Sequence, residues 1–159
     1  MRHAETLHYF TYESSIGPLT LVASDSGLVE LAFGRKKRAN CVEDPKRLAK
    51  YRKQLDEYFA GKREEFTLPL DIRGTDFQKR CWQQLLKIPY GQTRSYRQIA
   101  EAVGNRNAVR AVGLANGQNP IAIIVPCHRV IASDGTLCGY GGGLNLKEEL
   151  LRLEGARLF

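Results

Sequence analysis

Apolar and polar residues alternate from the start of the chain. His8, Phe10 and Tyr12 recur at every second position, the period of a half-buried strand. Two apolar segments, Leu19-Thr20-Leu21-Val22-Ala23 and Leu28-Val29-Glu30-Leu31-Ala32-Phe33, flank the turn-forming Ser24-Asp25-Ser26-Gly27. That pattern predicts an antiparallel hairpin. The charged run Arg35-Lys36-Lys37-Arg38 follows, read as a solvated loop with a phosphate contact as the alternative. Then the period lengthens. Asp44-Pro45 has the chemistry of an N-cap and first helical residue, and Leu48, Tyr51, Leu55 and Phe59 recur at helical spacing until Gly61. The stretch 66–74, carrying Pro69 and Gly74, reads as a connection between two lobes, 1–70 and 71–159.

The second lobe is denser in signals. Thr75-Asp76-Phe77-Gln78 fits a capping box, and Phe77, Cys81, Leu85 and Ile88 continue one helical face up to Pro89-Tyr90-Gly91. On that face Cys81 reads as a buried small hydrophobe and Trp82 as core. Ser95-Tyr96-Arg97-Gln98 is a second capping box, opening a short helix closed by Gly104. A third helix runs from Ala108 to Asn116, and the pair fits a helix-turn-helix. Ile121 to Val125 is an apolar run of strand length, stopped by Pro126, although periodicity does not exclude another buried form. A last helix is predicted over 146–154, capped by Gly155. Strands first and helices later make the fold class α+β: an N-terminal lobe with an antiparallel sheet and a helix, and a mostly helical C-terminal lobe.

Composition narrows the picture. With 43% hydrophobic and 26% charged residues the chain reads as an ordinary globular protein. Its net charge of +7 is concentrated in 72–131, where nine Lys/Arg face only Asp76 and Glu101 as acids. Such an excess favours a polyanion such as nucleic acid, with a merely basic protein as the other reading. Residues 1–5 show no apolar secretory region, and no apolar run approaches membrane-spanning length. Cys41, Cys81, Cys127 and Cys138 match neither a disulfide framework nor a zinc pattern, so free thiols in a reducing, cytoplasmic setting are expected.

The chemistry converges on Pro126-Cys127-His128-Arg129-Val130. A thiolate is a strong nucleophile, and here a base and a cation follow the thiol directly. Geometry raises a difficulty: in an extended strand Cys127 and His128 would point to opposite faces. Either Pro126 bends the chain, or a water carries the proton. Glu154, at a helix C-terminus where a carboxylate is disfavoured, is a candidate partner for the histidine. Spacing alone leaves Cys127 open as a buried structural thiol, and Glu154 open as a surface acid. Gly139-Tyr140-Gly141-Gly142-Gly143 lacks the pattern of a phosphate loop and reads as a tight loop or a close approach to ligand.

Taken together, these segments resemble the O6-alkylguanine-DNA alkyltransferase family. The similarity runs through Gly74–Gln78, Ile88–Gly91, Ser95–Ala100, Ala111-Val112-Gly113, Asn119-Pro120, the pentapeptide 126–130 and Tyr140–Leu144, in order and at matching spacing. The first 70 residues match only in character. The resemblance implies a winged helix-turn-helix and single-turnover repair of double-stranded DNA. An alkyl group on guanine O6, or on thymine O4, would pass irreversibly to Cys127, with no cofactor and no metal. His128, oriented by Glu154, would deprotonate Cys127 through a water; Asn119 would fix the turn before the active-site segment. Tyr96 would contact the flipped nucleotide and donate towards guanine N3. Arg110 would be the finger entering the duplex. Ala108, Ala111, Gly113 and Ala115 would allow close approach to the minor groove, with Arg129 among the DNA contacts. Val130, Tyr140, Gly141 and Gly142 would line the base pocket.

Two departures are visible. Gly141 stands where many relatives carry a small polar residue, which implies a wider pocket. Cys41 is the one cysteine before Cys81, so the N-terminal zinc site of some relatives is not expected. The protein is expected to act as a monomer, with cooperative assembly on DNA left open. A non-catalytic lesion sensor, a thiol hydrolase and a winged-helix regulator remain rival readings at this point.

Overall fold

The computed structural model describes residues 5–137, 139–140 and 143–156 of the 159-residue chain. Its contacts divide the chain into two compact units, Met1–Arg73 and Gly74–Phe159. Among the described residues, no helix is long and apolar enough to cross a membrane.

In the first unit, strands β1 (Leu7–Ser14), β2 (Gly17–Ala23), β3 (Leu28–Phe33) and β4 (Cys41–Glu43) form one sheet in the order β3-β2-β1-β4. The predicted hairpin is β2–β3, and β1 pairs antiparallel with β2, placing Phe10 opposite Leu21 and Tyr12 opposite Leu19. These four side chains are buried. β4 adds a parallel edge strand beside β1 that three residues without a period did not announce. Helix α1 (Ala49–Phe59) begins later than Asp44-Pro45 suggested. The Asp44 carboxylate accepts from the Arg47 amide at 3.1 Å, closing a separate turn before the helix. Tyr58 rather than Phe59 completes the buried stripe with Leu48, Tyr51 and Leu55; Phe59 stacks on Tyr12 at 6.1 Å between ring centres. The basic run 35–38 is loop, with Arg35 paired to Glu13 and Arg38 to Glu30.

The second unit holds α2 (Asp76–Leu86), β5 (Arg94–Ser95), α3 (Tyr96–Ala102), α4 (Val109–Gly117), a 3-10 turn (Cys127–Arg129), β6 (Val130–Ile131) and α5 (Leu144–Leu153). Both predicted capping boxes are formed: Thr75 and Ser95 each accept from the amide three residues on, and Gln78 and Gln98 accept in return from the cap amides. Trp82 is buried and its indole N–H donates to the Ala115 carbonyl at 2.9 Å, pinning α2 to α4. A Cβ at Gly74 would stand 2.6 Å from the Trp82 ring, so glycine is what lets α2 start there. Parallel pairing of β5 with β6 sets Arg94 opposite Val130 and Ser95 opposite Ile131. This brings the start of α3 beside the segment that follows Cys127.

Ile121–Val125 is not a strand. Ile123 has φ 71°, an outlying value for a β-branched residue, and the Ile124 amide donates to the Ala122 carbonyl at 2.8 Å. Val125 donates back to Ile121 at 3.0 Å. The run is apolar because these turns are buried, not because a sheet covers them.

Candidate active site

Pro126 turns the chain into the site. With φ −82° and ψ 65° it sits at the centre of an inverse γ-turn, closed by a hydrogen bond from the Cys127 amide to the Val125 carbonyl at 2.8 Å. Cys127, His128 and Arg129 then form one 3-10 turn, so the extended geometry that would send Cys127 and His128 to opposite faces does not arise. Asn119 holds the preceding segment at both ends: its Nδ2 donates to the Val125 carbonyl at 2.8 Å, and its Oδ1 accepts from the Ile121 amide at 3.0 Å.

Cys127 is 6% exposed. Burial pushes its thiol up, opposed by hydrogen bonds from the Asn119 and Tyr140 side chains, by the charge of Lys147 and by backbone. His128 is fully buried, which holds the ring below its ordinary value and hence neutral, although Glu154 pulls the other way. Its Nε2 lies 2.8 Å from Glu154 Oε2, while Nδ1 is buried with no hydrogen-bond partner among the described residues. Burial opposes ionisation of Glu154, but His128 and Arg129 outweigh it and hold the carboxyl down at about 2. Glu154 is the residue that ends α5, where the macrodipole works against it. The fork of Arg129 supplies the compensation, with Nε to Oε1 at 2.7 Å and Nη2 to Oε2 at 3.0 Å.

Arg129 therefore departs from the expectation that it contacts DNA. Its side chain is buried, its third donor is bound to the Ile88 carbonyl at 2.7 Å, and its guanidinium lies 5.8 Å from the Tyr90 ring centre. The turn at Tyr90-Gly91 closes the same corner: the Tyr90 hydroxyl donates to the Leu153 carbonyl at 3.2 Å. A side chain at Gly91 would come within 3.1 Å of the Glu154 carbonyl.

Lys147 escaped the sequence reading. It is fully buried, donates to the Val130 carbonyl at 2.6 Å and lies 6.0 Å from the Tyr96 ring centre. Its charge reaches both Cys127 and His128. One signal was present: Lys147 shares a helical face with the apolar Leu150 and Leu151 and with Glu154, all buried. Asn116 was missed as well. It is buried on α4, and its Nδ2 donates to the Cys127 carbonyl at 3.3 Å.

The other expected residues fall in two groups. Tyr96 opens α3 and is partly exposed, Val130 is buried in β6, and Tyr140 reaches Cys127. Gly141, Gly142 and Cys138 lie outside the described residues. On α4, Arg110 and Ala111 face solvent, and a Cβ at Gly113 would meet nothing within 4 Å. Ala115 does not join that surface, because it is buried against Trp82. Among the described residues there is no cluster of His, Cys, Asp and Glu able to hold a metal.

Comparison with known proteins follows the same division. Residues 7–72 match the family described as 6-O-methylguanine DNA methyltransferase, ribonuclease-like domain, and residues 76–156 match its DNA binding domain. A methylated-DNA–protein-cysteine methyltransferase of Mycobacterium tuberculosis is 54% identical over 155 residues, covering 95% of this chain and 94% of the relative. One from Methanosarcina barkeri is 50% identical over 153 residues, covering 93% and 97%. Among solved structures, the M. tuberculosis OGT in complex with DNA superposes with a TM-score of 0.89 at 55% identity, covering 95% of this chain and 94% of that one. The M. tuberculosis O6-methylguanine methyltransferase gives 0.87 at 54% identity, covering 94% and 93%.

Proposed function

Because the chain belongs to the 6-O-methylguanine DNA methyltransferase family, we propose that it repairs DNA by moving an alkyl group from guanine O6, or thymine O4, to the Sγ of Cys127, once per molecule. The observation that carries this reading is the assembly of a buried thiol, a neutral buried imidazole and an ionised carboxylate within one corner of the second unit. With Nε2 committed to Glu154, the lone pair left on His128 Nδ1 is the base, and it takes the thiol proton through a bridging water.

The thiolate then attacks the carbon on O6. A C–S bond forms as the C–O bond breaks, and guanine leaves with the electron pair. Tyr96 donates towards guanine N3, offsetting the charge the departing base acquires. Lys147 stabilises the thiolate from within the site, and the imidazolium formed on His128 is held by Glu154. A thioether is not hydrolysed under these conditions, so the protein reacts once.

A base stacked in a duplex hides its O6, so the nucleotide must be extruded at a cost of about a few kcal/mol. Arg110, exposed on α4, is the finger that fills the gap, since a planar guanidinium can stack and hydrogen-bond there. The helices α3 and α4 with the β5–β6 pair act as a winged helix-turn-helix. Its open minor-groove face is formed by Ala111 and Gly113, and base-sequence readout in that groove is weak, which suits repair in any sequence. Of the described residues, Val130 and Tyr140 line the base pocket. In this division of labour residues 71–159 carry both DNA binding and chemistry, and 1–70 form the supporting lobe. The protein acts as a monomer in the cytoplasm, where a reducing environment keeps a nucleophilic thiol available.

The test is stoichiometry. Duplex DNA carrying radiolabelled O6-methylguanine is mixed with increasing protein, and label on protein is counted. Transfer should saturate at one methyl per molecule; product release that continues with substoichiometric protein would contradict the proposal.

A further inference from the structure

Helix α4 has two faces of different character. Val112, Ala115 and Asn116 are buried, whereas Val109, Arg110, Ala111 and Leu114 face solvent. Leu114 is 64% exposed, more than any other large hydrophobic side chain among the described residues. It stands four residues after Arg110, so the two side chains occupy one face, a turn apart. Little stands around it: a Cβ built at Gly113 or Gly117 would meet nothing within 4 Å. No Asp or Glu occurs between Glu101 and Asp134, and Arg106 and Arg110 make no ion pair among the described residues.

A single exposed leucine is ordinary on a protein surface. This one stands on an acid-free helix face one turn beyond uncompensated cations, and that setting selects its partner. An apolar protein partner would leave Arg106 and Arg110 to be desolvated without counter-charge. The minor groove of a duplex meets both requirements, with two rows of phosphates flanking a groove in which proteins seat apolar side chains such as leucine. We infer that Leu114 is an apolar DNA contact, packed into the minor groove one helical turn from the Arg110 finger. The cation fills the gap left by the extruded nucleotide, while the leucine holds the sugar wall of the neighbouring step. The inference rests on the DNA-repair reading above.

The experiment compares wild type, Leu114→Ala and Leu114→Glu on two substrates, an O6-methylguanine duplex and the free base O6-benzylguanine. Duplex affinity is measured in parallel as a function of salt. Leu114→Ala should lower the rate on subsaturating duplex about tenfold, the scale of a lost buried leucine contact, and Leu114→Glu should lower it further. Both should stay within about twofold of wild type on the free base, because that substrate needs no groove contact. The slope of log Kd against log salt should be unchanged in Leu114→Ala, since no phosphate contact is lost. Wild-type repair of duplex by Leu114→Ala would overturn the inference. So would equal losses on both substrates, which would place Leu114 in the fold rather than on DNA. Failure of the wild-type protein to react with the free base would instead count against the alkyl-transfer reading, independently of Leu114.

Discussion

Asn116 donates its side-chain amide to the carbonyl of Cys127 across 3.3 Å, which ties the outward-facing helix α4 to the backbone of the nucleophile. A residue on the buried side of α4 thus fixes where the thiol stands. Asn116→Ala should cost about 1–3 kcal/mol, because a buried carbonyl loses its donor, and should slow free-base and duplex reactions alike. Denaturant unfolding together with the two rates checks this; a loss confined to duplex would contradict it.

Arg129 holds Glu154 with two of its donors and Ile88 with a third. Lysine keeps the charge but cannot reproduce the fork. Arg129→Lys should therefore slow alkyl transfer by tenfold or more, on the order of one lost charge-assisted hydrogen bond. Arg129→Met should leave Glu154 buried without its compensating cation, costing about 3–5 kcal/mol. The readouts are the transfer rate and the unfolding midpoint; an unaltered Arg129→Lys would show that charge alone suffices.

Stability should fall with acid in a defined window. Glu154 is depressed from 4.5 to about 2, so its contribution is complete above about pH 4.5 and is lost as pH falls towards 2. His128 is also depressed from 6.5, so the unfolded chain takes up its proton first. Stability therefore begins to decline below about pH 6.5, with the same sign. Thermal melts across pH 2 to 8 should show the two contributions, and Glu154→Gln should remove the lower one. A midpoint unchanged down to pH 3 would contradict the assignment.

Arg110→Ala should slow repair of duplex by about tenfold or more while leaving the free-base reaction within about twofold, since only extrusion needs the finger. Equal losses on both substrates would count against that role.

Much of this site was legible in the sequence, and the exceptions share a cause. The two capping boxes could be read because Thr75 with Gln78 and Ser95 with Gln98 act over three residues. Glu154 could be suspected because a carboxylate at a helix end asks for a partner. Arg129 reads as a phosphate contact because it is a cation beside a nucleophile in a basic window, and only tertiary packing places it inside. Lys147 is hidden in the sequence because lysine on a helix reads as surface. Ile121–Val125 looked like a strand because burial, not pairing, selects its apolar residues. The parallel β4 rests on three residues, too few for any period.

The central claim is that Cys127 receives the alkyl group and keeps it. Intact-mass measurement after incubation with an O6-methylguanine duplex, followed by peptide mapping and repeated with Cys127→Ser, tests this most directly. The account predicts a gain of one methyl group per molecule, located on the Cys127 peptide and absent from the variant. An unchanged mass alongside tight binding to the lesion, or a methyl group on any other residue, would contradict it.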